Sequence, residues 1–253
     1  MTTHIDELMT FLSGSITPFH AVEVMAKTLQ GAGFEQLDQF DAVRMTPGKG
    51  YFVVHQGSSL MALRAGQSGV EAGLRLVGAH TDSPNLSVKP NPVKGRDGCI
   101  QLGVDVYGGA LLNPWFDRDL GMAGRVTLLT ADNTLLTTLF DTARAVAVIP
   151  SLAIHLDREA NSQRSINPQK DVVPLVMLGE HQQYDLKTWL AEELARTDSQ
   201  WQGARVMDYE LSLYDTQPPN QIGIDGDFIA SARLDNLLSC FAGMRALIDA
   251  DDA

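Results

Sequence analysis

The chain has 253 residues, 44% of them hydrophobic, enough to bury one large core or two smaller ones. Its 31 acidic and 19 basic residues give a net charge of -12, which argues against nucleic acid or an anionic membrane as a partner. No stretch approaches the roughly 18 consecutive apolar residues of a membrane helix. Cys99 and Cys240 fit no CxxC metal spacing, as expected of free thiols in a reducing cytoplasm.

The opening Met1-Thr2-Thr3-His4-Ile5-Asp6-Glu7 carries acids where a signal peptide carries cations. Thr3 with Asp6 has the spacing of a capping box, and Ile5, Leu8, Met9 and Leu12 share a face, so a helix is predicted. A second helix follows, with Thr17 as cap, Pro18 at its first position, Val22, Met25 and Leu29 on one side, and Gly31 or Gly33 at its end. Residues 51–54 and 59–64 read as neighbouring strands joined by His55-Gln56-Gly57-Ser58. The apolar run Leu74, Leu76, Val77 and Ala79 predicts a further strand, covered on both faces and ended by Pro84. It delivers His80 and Asp82 to the carboxyl end of that strand, where the functional groups of open α/β sheets collect. Two positions apart in extended chain, they point to one side, so the carboxylate can orient the imidazole or both can face a metal ion. Ordinary loop residues are the plain alternative.

From Lys89-Pro90-Asn91-Pro92 onward the texture changes, and this segment is expected to break the first layer. Short strand-like runs at 100–107, 125–130, 134–140 and 143–148 alternate with turns such as Ala131-Asp132-Asn133. Leu186, Trp189, Leu190 and Leu194 predict a helix capped by Asp185, with Glu192-Glu193 on its solvated face. Met207, Tyr209, Leu211 and Leu213 alternate with polar residues as in a half-buried strand, and Pro218-Pro219-Asn220 closes the region. Within it, Asp117-Arg118-Asp119 reads as a charged turn that pairs with itself and Gly108-Gly109 as a bend. His155 reads as a packed residue, and 161–171 as a surface loop. A short strand at 227–232 then leads into a helix carrying Leu237, Leu238, Phe241, Met244, Leu247 and Ile248. Asp235 before it has the ordinary reading of a helix cap; with Asn236 in that role, Asp235 is left to point elsewhere. The simplest architecture is an α/β domain built from 1–91 and 227–253, interrupted by a β-rich insertion at 92–226.

His80-Thr81-Asp82-Ser83-Pro84 together with Arg233-Leu234-Asp235-Asn236 resembles the M18 family of metallo-aminopeptidases, the aspartyl aminopeptidase group. Thr17-Pro18-Phe19-His20-Ala21, Trp115-Phe116-Asp117-Arg118-Asp119-Leu120 and the stretch from Ile149 to Leu156 match as well, in the same order. The resemblance implies a zinc-exopeptidase-like sheet with flanking helices, an inserted domain serving homo-oligomer association, and two zinc ions acting on N-terminal residues of peptides. It implies that His80 ligates one metal, Asp235 bridges both, Asp82 orients His80, and His155 lies near the active site of an adjacent subunit. A preference for acidic residues would need local cations or the metals, since a charge of -12 attracts no acidic peptide at long range. In one respect the chain departs from the pattern. A Glu-Glu pair followed by Val-Gly-Ser, a further aspartate and a final histidine are absent before Ala253, and the Glu192-Glu193 flanks do not match. The general base and the remaining ligands are therefore expected outside this chain, which alone is expected to be inactive. A non-catalytic assembly or regulatory partner, or another zinc exopeptidase or amidohydrolase on a similar scaffold, are the competing readings.

Overall fold

The computed structural model describes residues 3–40, 44–68, 73–179 and 184–250. The chain divides into two units, Met1–Ser83 with Pro218–Ala253, and Pro84–Gln217. In the first, helix α1 (His4–Gly14) opens on the predicted capping box: Thr3 Oγ1 accepts from the Asp6 amide at 3.2 Å, and Asp6 accepts from the Thr3 amide at 2.9 Å. Leu8, Phe11 and Leu12 form its buried side. Helix α2 (Pro18–Gly31) starts with Thr17 as cap and proline in its first turn, where the missing N–H costs nothing. It buries Ala21, Val22, Met25 and Leu29. Strand β1 (Glu35–Gln36) runs parallel to β2 (Gly50–His55), which pairs antiparallel with β3 (Ser59–Arg64).

The expected strand at 74–79 does not form. Residues 73–84 join no ladder, and Leu74, Leu76 and Val77 are 72%, 86% and 79% exposed. Val77 rests against Gly243, where an added Cβ would stand 3.2 Å away, but no described strand lies beside the run. Apolar content favours burial, whereas a ladder also needs a neighbour to satisfy the backbone groups.

The second unit is a six-stranded antiparallel sheet. Strands β4 (Asn85–Arg96) and β5 (Cys99–Tyr107) form a hairpin closed by Asp97-Gly98, both at positive φ, as a two-residue hairpin turn requires. Lys89-Pro90-Asn91-Pro92 does not end a layer. It sits within β4 as an irregularity between Val88 and Val93, which lets prolines be carried without ladder bonds. Strands β6 (Leu120–Leu129), β7 (Leu135–Asp141), β8 (Leu175–Leu178) and β9 (Arg205–Asp215) complete the order β7-β6-β9-β4-β5-β8. The expected strand at 143–148 reduces to isolated bridges at Ala147 and Val148. Helix α3 (Leu186–Thr197), capped by Asp185 as predicted, packs Leu186, Leu190 and Leu194 into this unit's core with Leu102, Leu120, Met122 and Leu211. Glu193 is not on a solvated face: it is buried, with its carboxylate 3.0 Å from Arg144 and 3.2 Å from Arg196. Because β4 is continuous from Asn85, the unit begins earlier than the expected 92 and ends at Gln217 rather than 226.

The chain then returns to the first unit through a short ladder of β10 (Asn220–Ile222) and β11 (Phe228–Ala230) and helix α4 (Leu234–Asp249). Leu237, Cys240, Phe241 and Met244 of α4 join Leu8, Phe11, Leu12, Ala21, Met25, Leu29, Phe34 and Phe52 in that unit's core, with the Phe11 and Phe241 rings 5.7 Å apart. No helix among the described residues is long and apolar enough to cross a membrane.

Candidate metal centre

Two distant segments of the first unit meet where the sequence placed its two strongest motifs. His80 Nε2 lies 3.4 Å from Asp235 Oδ1, and His80 Nδ1 lies 3.2 Å from Asp82 Oδ1 and 3.0 Å from the Asp82 carbonyl oxygen. Both imidazole nitrogens thus face oxygen. With Nδ1–H given to Asp82, Nε2 keeps its lone pair toward Asp235. Two ligands bound at about 2.0–2.1 Å to one tetrahedral zinc ion stand about 3.3 Å apart. The Nε2–Oδ1 separation therefore fits a shared ion, and the donor set, one imidazole and one carboxylate, suits zinc. Among the described residues no group of three or more His, Cys, Asp or Glu surrounds such an ion.

Local structure explains how the segments are held. The loop after residue 79 is not a strand end; it is tied down by side chains bonding to backbone. Thr81 Oγ1 donates to the Ser58 carbonyl in the β2–β3 turn at 3.0 Å. Ser83, buried, donates to the Asp235 carbonyl at 3.0 Å. Cys240 Sγ, buried on α4, lies 3.2 Å from the His80 carbonyl. Burial, reinforced by the Asp82 charge, pushes the Cys240 thiol up, so it stays a protonated donor. On the other segment Arg233 adopts a left-handed backbone with φ 63, and its guanidinium donates to the Ser15 and Leu12 carbonyls at 3.2 and 3.5 Å, covering the end of α1. Asp235 (φ -88, ψ 110) and Asn236 are not helical, and a cis peptide bond joins them. Asp235 does not cap the helix; its side chain is 93% exposed and turns toward His80. Arg233 and Cys240 escaped the sequence reading as site anchors. The only signal for Arg233 was its place in the motif, and Cys240 looked like any small apolar residue of a helix face.

The other candidates fall elsewhere. His155 is exposed on a turn in the second unit, with Leu152, Ile154 and Leu156 beside it 64%, 53% and 68% exposed, so it is not the packed residue its apolar neighbours suggested. Asp117-Arg118-Asp119 is structural but does not pair with itself. Asp117 accepts from the Ser151 amide at 2.9 Å, and Arg118 reaches Asp215 and Gln217. His20 Nδ1 lies 2.8 Å from the hydroxyl of Thr17, the cap of α2. His181 lies outside the described residues.

Residues 11–253 match the family model described as aminopeptidase I zinc metalloprotease (M18). A probable M18 family aminopeptidase 2 of Pseudomonas entomophila is 50% identical over 96% of this chain and 57% of its own length, and its counterpart in Pseudomonas paraeruginosa is 51% identical over the same shares. Among solved structures, mApe1 of Chaetomium thermophilum superposes with a TM-score of 0.84 at 29% identity, over 97% of this chain and 58% of that one. The S. cerevisiae mApe1 dodecamer does so with a TM-score of 0.77 at 26% identity, over 96% and 55%. The chain therefore spans little more than half the length of the curated relatives it matches. Matched along nearly its whole length by the family model and by relatives at half identity, the chain belongs to the M18 family of aminopeptidases.

Proposed function

We propose that this chain supplies part of a two-zinc site for removing N-terminal residues from peptides. The observation that carries the reading is the meeting of His80 Nε2 and Asp235 Oδ1 at 3.4 Å, with Asp82 behind the imidazole. When bound, two divalent ions at such a site acidify a water and polarise the scissile carbonyl. His80 would hold a metal ion through Nε2. Asp82 accepts a hydrogen bond from Nδ1–H, fixing the tautomer and the ring plane. Asp235 offers two oxygens from an unpacked side chain, the form a carboxylate needs to be shared between ions. By the resemblance, the general-base glutamate and further ligands belong to a part of the family pattern that this chain does not carry, so the 253-residue chain alone holds zinc weakly and turns over little substrate.

His155, exposed on its turn, is assigned to the site of a neighbouring subunit in a homo-oligomer assembled through the second unit. A dodecameric structure among the solved neighbours supports a homo-oligomer. The free cysteines Cys99 and Cys240 agree with a reducing cytoplasm. The test is zinc stoichiometry and hydrolysis of N-terminal aspartyl and leucyl anilides, by this chain and by one carrying the remaining length of its relatives. The longer form should take up zinc and turn over, His80→Ala and Asp235→Ala should abolish both, and the ratio of the two anilides reads any acidic preference. Robust turnover by the short chain, lost in His80→Ala, would overturn the partial-site reading.

A further inference from the structure

We infer that Ser83 is a positioning residue for the metal centre, aiming the Asp235 carboxylate at His80 through its bond to the Asp235 backbone. The inference rests on the reading of His80 and Asp235 as metal ligands. A ligand needs a fixed direction, and the usual sources are missing at Asp235. Its side chain is 93% exposed, so no packing holds it. Its φ and ψ are not helical, so α4 does not set its direction either. What remains is the backbone, which side chains secure: Arg233 ties the preceding turn to the end of α1, and Ser83 Oγ donates to the carbonyl of Asp235 itself at 3.0 Å. Holding that carbonyl restrains the peptide plane next to Cα, and so narrows the range of the Cα–Cβ direction.

Ser83 is also placed to couple both ligands. It lies three residues after His80, on the segment whose Asp82 orients the imidazole. From the other side, Cys240 on α4 bonds the His80 carbonyl at 3.2 Å, and α4 is the helix that follows Asp235. Each ligand's peptide is thus bonded by a side chain from the other ligand's segment. A buried hydroxyl costs free energy unless it is bonded. This one, 8% exposed, donates across 152 positions of sequence to the segment of the other ligand.

The experiment titrates the 253-residue chain with zinc chloride and follows the His80 imidazole signals by NMR. Parent, Ser83→Ala, Ser83→Thr, Cys240→Ala and Asp235→Ala are compared, and the zinc-free melting of each is recorded. Removing a partner that orients a ligand typically costs 10- to 100-fold in metal affinity. Ser83→Ala should therefore weaken zinc binding at His80 about tenfold or more, well beyond what its change in zinc-free melting accounts for, and Ser83→Thr should recover it. Cys240→Ala should weaken zinc in the same way and serves as the test if Ser83→Ala does not fold. If Ser83→Ala and Cys240→Ala respond at the parent's zinc concentration while Asp235→Ala does not respond, the positioning role is overturned and the metal reading stands. His80 signals that ignore zinc both in the parent and in a chain carrying the remaining length of its relatives overturn the metal reading itself.

Discussion

Leu237→Ala tests how the first unit holds the metal-centre turn. Leu237 is 1% exposed, sits two residues after Asp235, and belongs to the cluster formed by α1, α2, β2 and α4. Truncation removes a fully buried side chain and leaves a cavity, because Leu12 and Leu29, both at 0% exposure, have no room to relax inward without losing contacts of their own. Buried Leu→Ala changes cost about 3–5 kcal/mol, and a value near 3 kcal/mol corresponds to roughly 150-fold in the opening equilibrium. The second unit has its own cluster around Leu102, Leu120, Met122 and Leu190, with no residue in common. Amide hydrogen exchange read by mass spectrometry should therefore accelerate about 100-fold in α1, α2 and α4 and stay near parental rates in β6 and β9. Equal acceleration in both units would refute the separation of the cores on which the argument rests.

Gly124→Ala should damage the second unit instead. A Cβ there would stand 1.9 Å from the Glu210 carbonyl oxygen on β9, and since backbone cannot swing away like a side chain, the cost should exceed the usual 1–3 kcal/mol of overpacking; a thermal melt reads it. Asp185 accepts from the Thr188 amide and hydroxyl at 3.0 and 2.7 Å, bonds that hold its carboxyl below the ordinary value. Its contribution is thus complete above the unfolded value near 4 and fades as pH falls through the lower folded value. Asp185→Asn, which can still cap, should flatten the acid limb of a melting-temperature profile, and an unchanged profile would count against the cap as its source. Burial pushes Tyr184 and Tyr209 up to about 12. With folded values above the unfolded value near 10, the stability they add is present below about 10 and lost as pH rises toward 12. Tyrosinate absorbance should show two of the five tyrosines ionising last, and Tyr209→Phe should remove one of them.

Local signals were legible wherever the physics is local. The Thr3–Asp6 box, proline in the first turn of α2 and the Asp185 cap each involve groups within a few residues, and each stands as read; the alternation in β9 holds from Tyr209 to Leu213, whereas Met207 is 43% exposed at a register shift that buries Val206 instead. His80, Asp82 and Asp235 were legible as candidates because a motif records chemistry, and the fold brings them together. The run at 74–79 was misread because hydrophobicity reports a tendency to be covered and cannot supply the neighbour that covers it. Glu193 was misread for the converse reason: Arg196 lies within one turn of it, but an i,i+3 pair suits an exposed helix face equally well, and Arg144, the second cation on the buried carboxylate, lies 49 positions away. The boundary prolines misled because a bulge in β4 absorbs them.

By itself, then, the sequence determined the starts of α1, α2 and α3, most of the alternation in β9 and the types of residue gathered for metal chemistry, since caps, periodicity and ligand chemistry are properties of short segments. Only the tertiary structure decided which strands pair, where the two units divide, and that Ser83, Arg233 and Cys240 anchor the candidate ligands. That anchoring depends on bonds to backbone carbonyls between 152 and 221 positions away, and a carbonyl oxygen, present in every residue, leaves no mark in the sequence of the partner it accepts from.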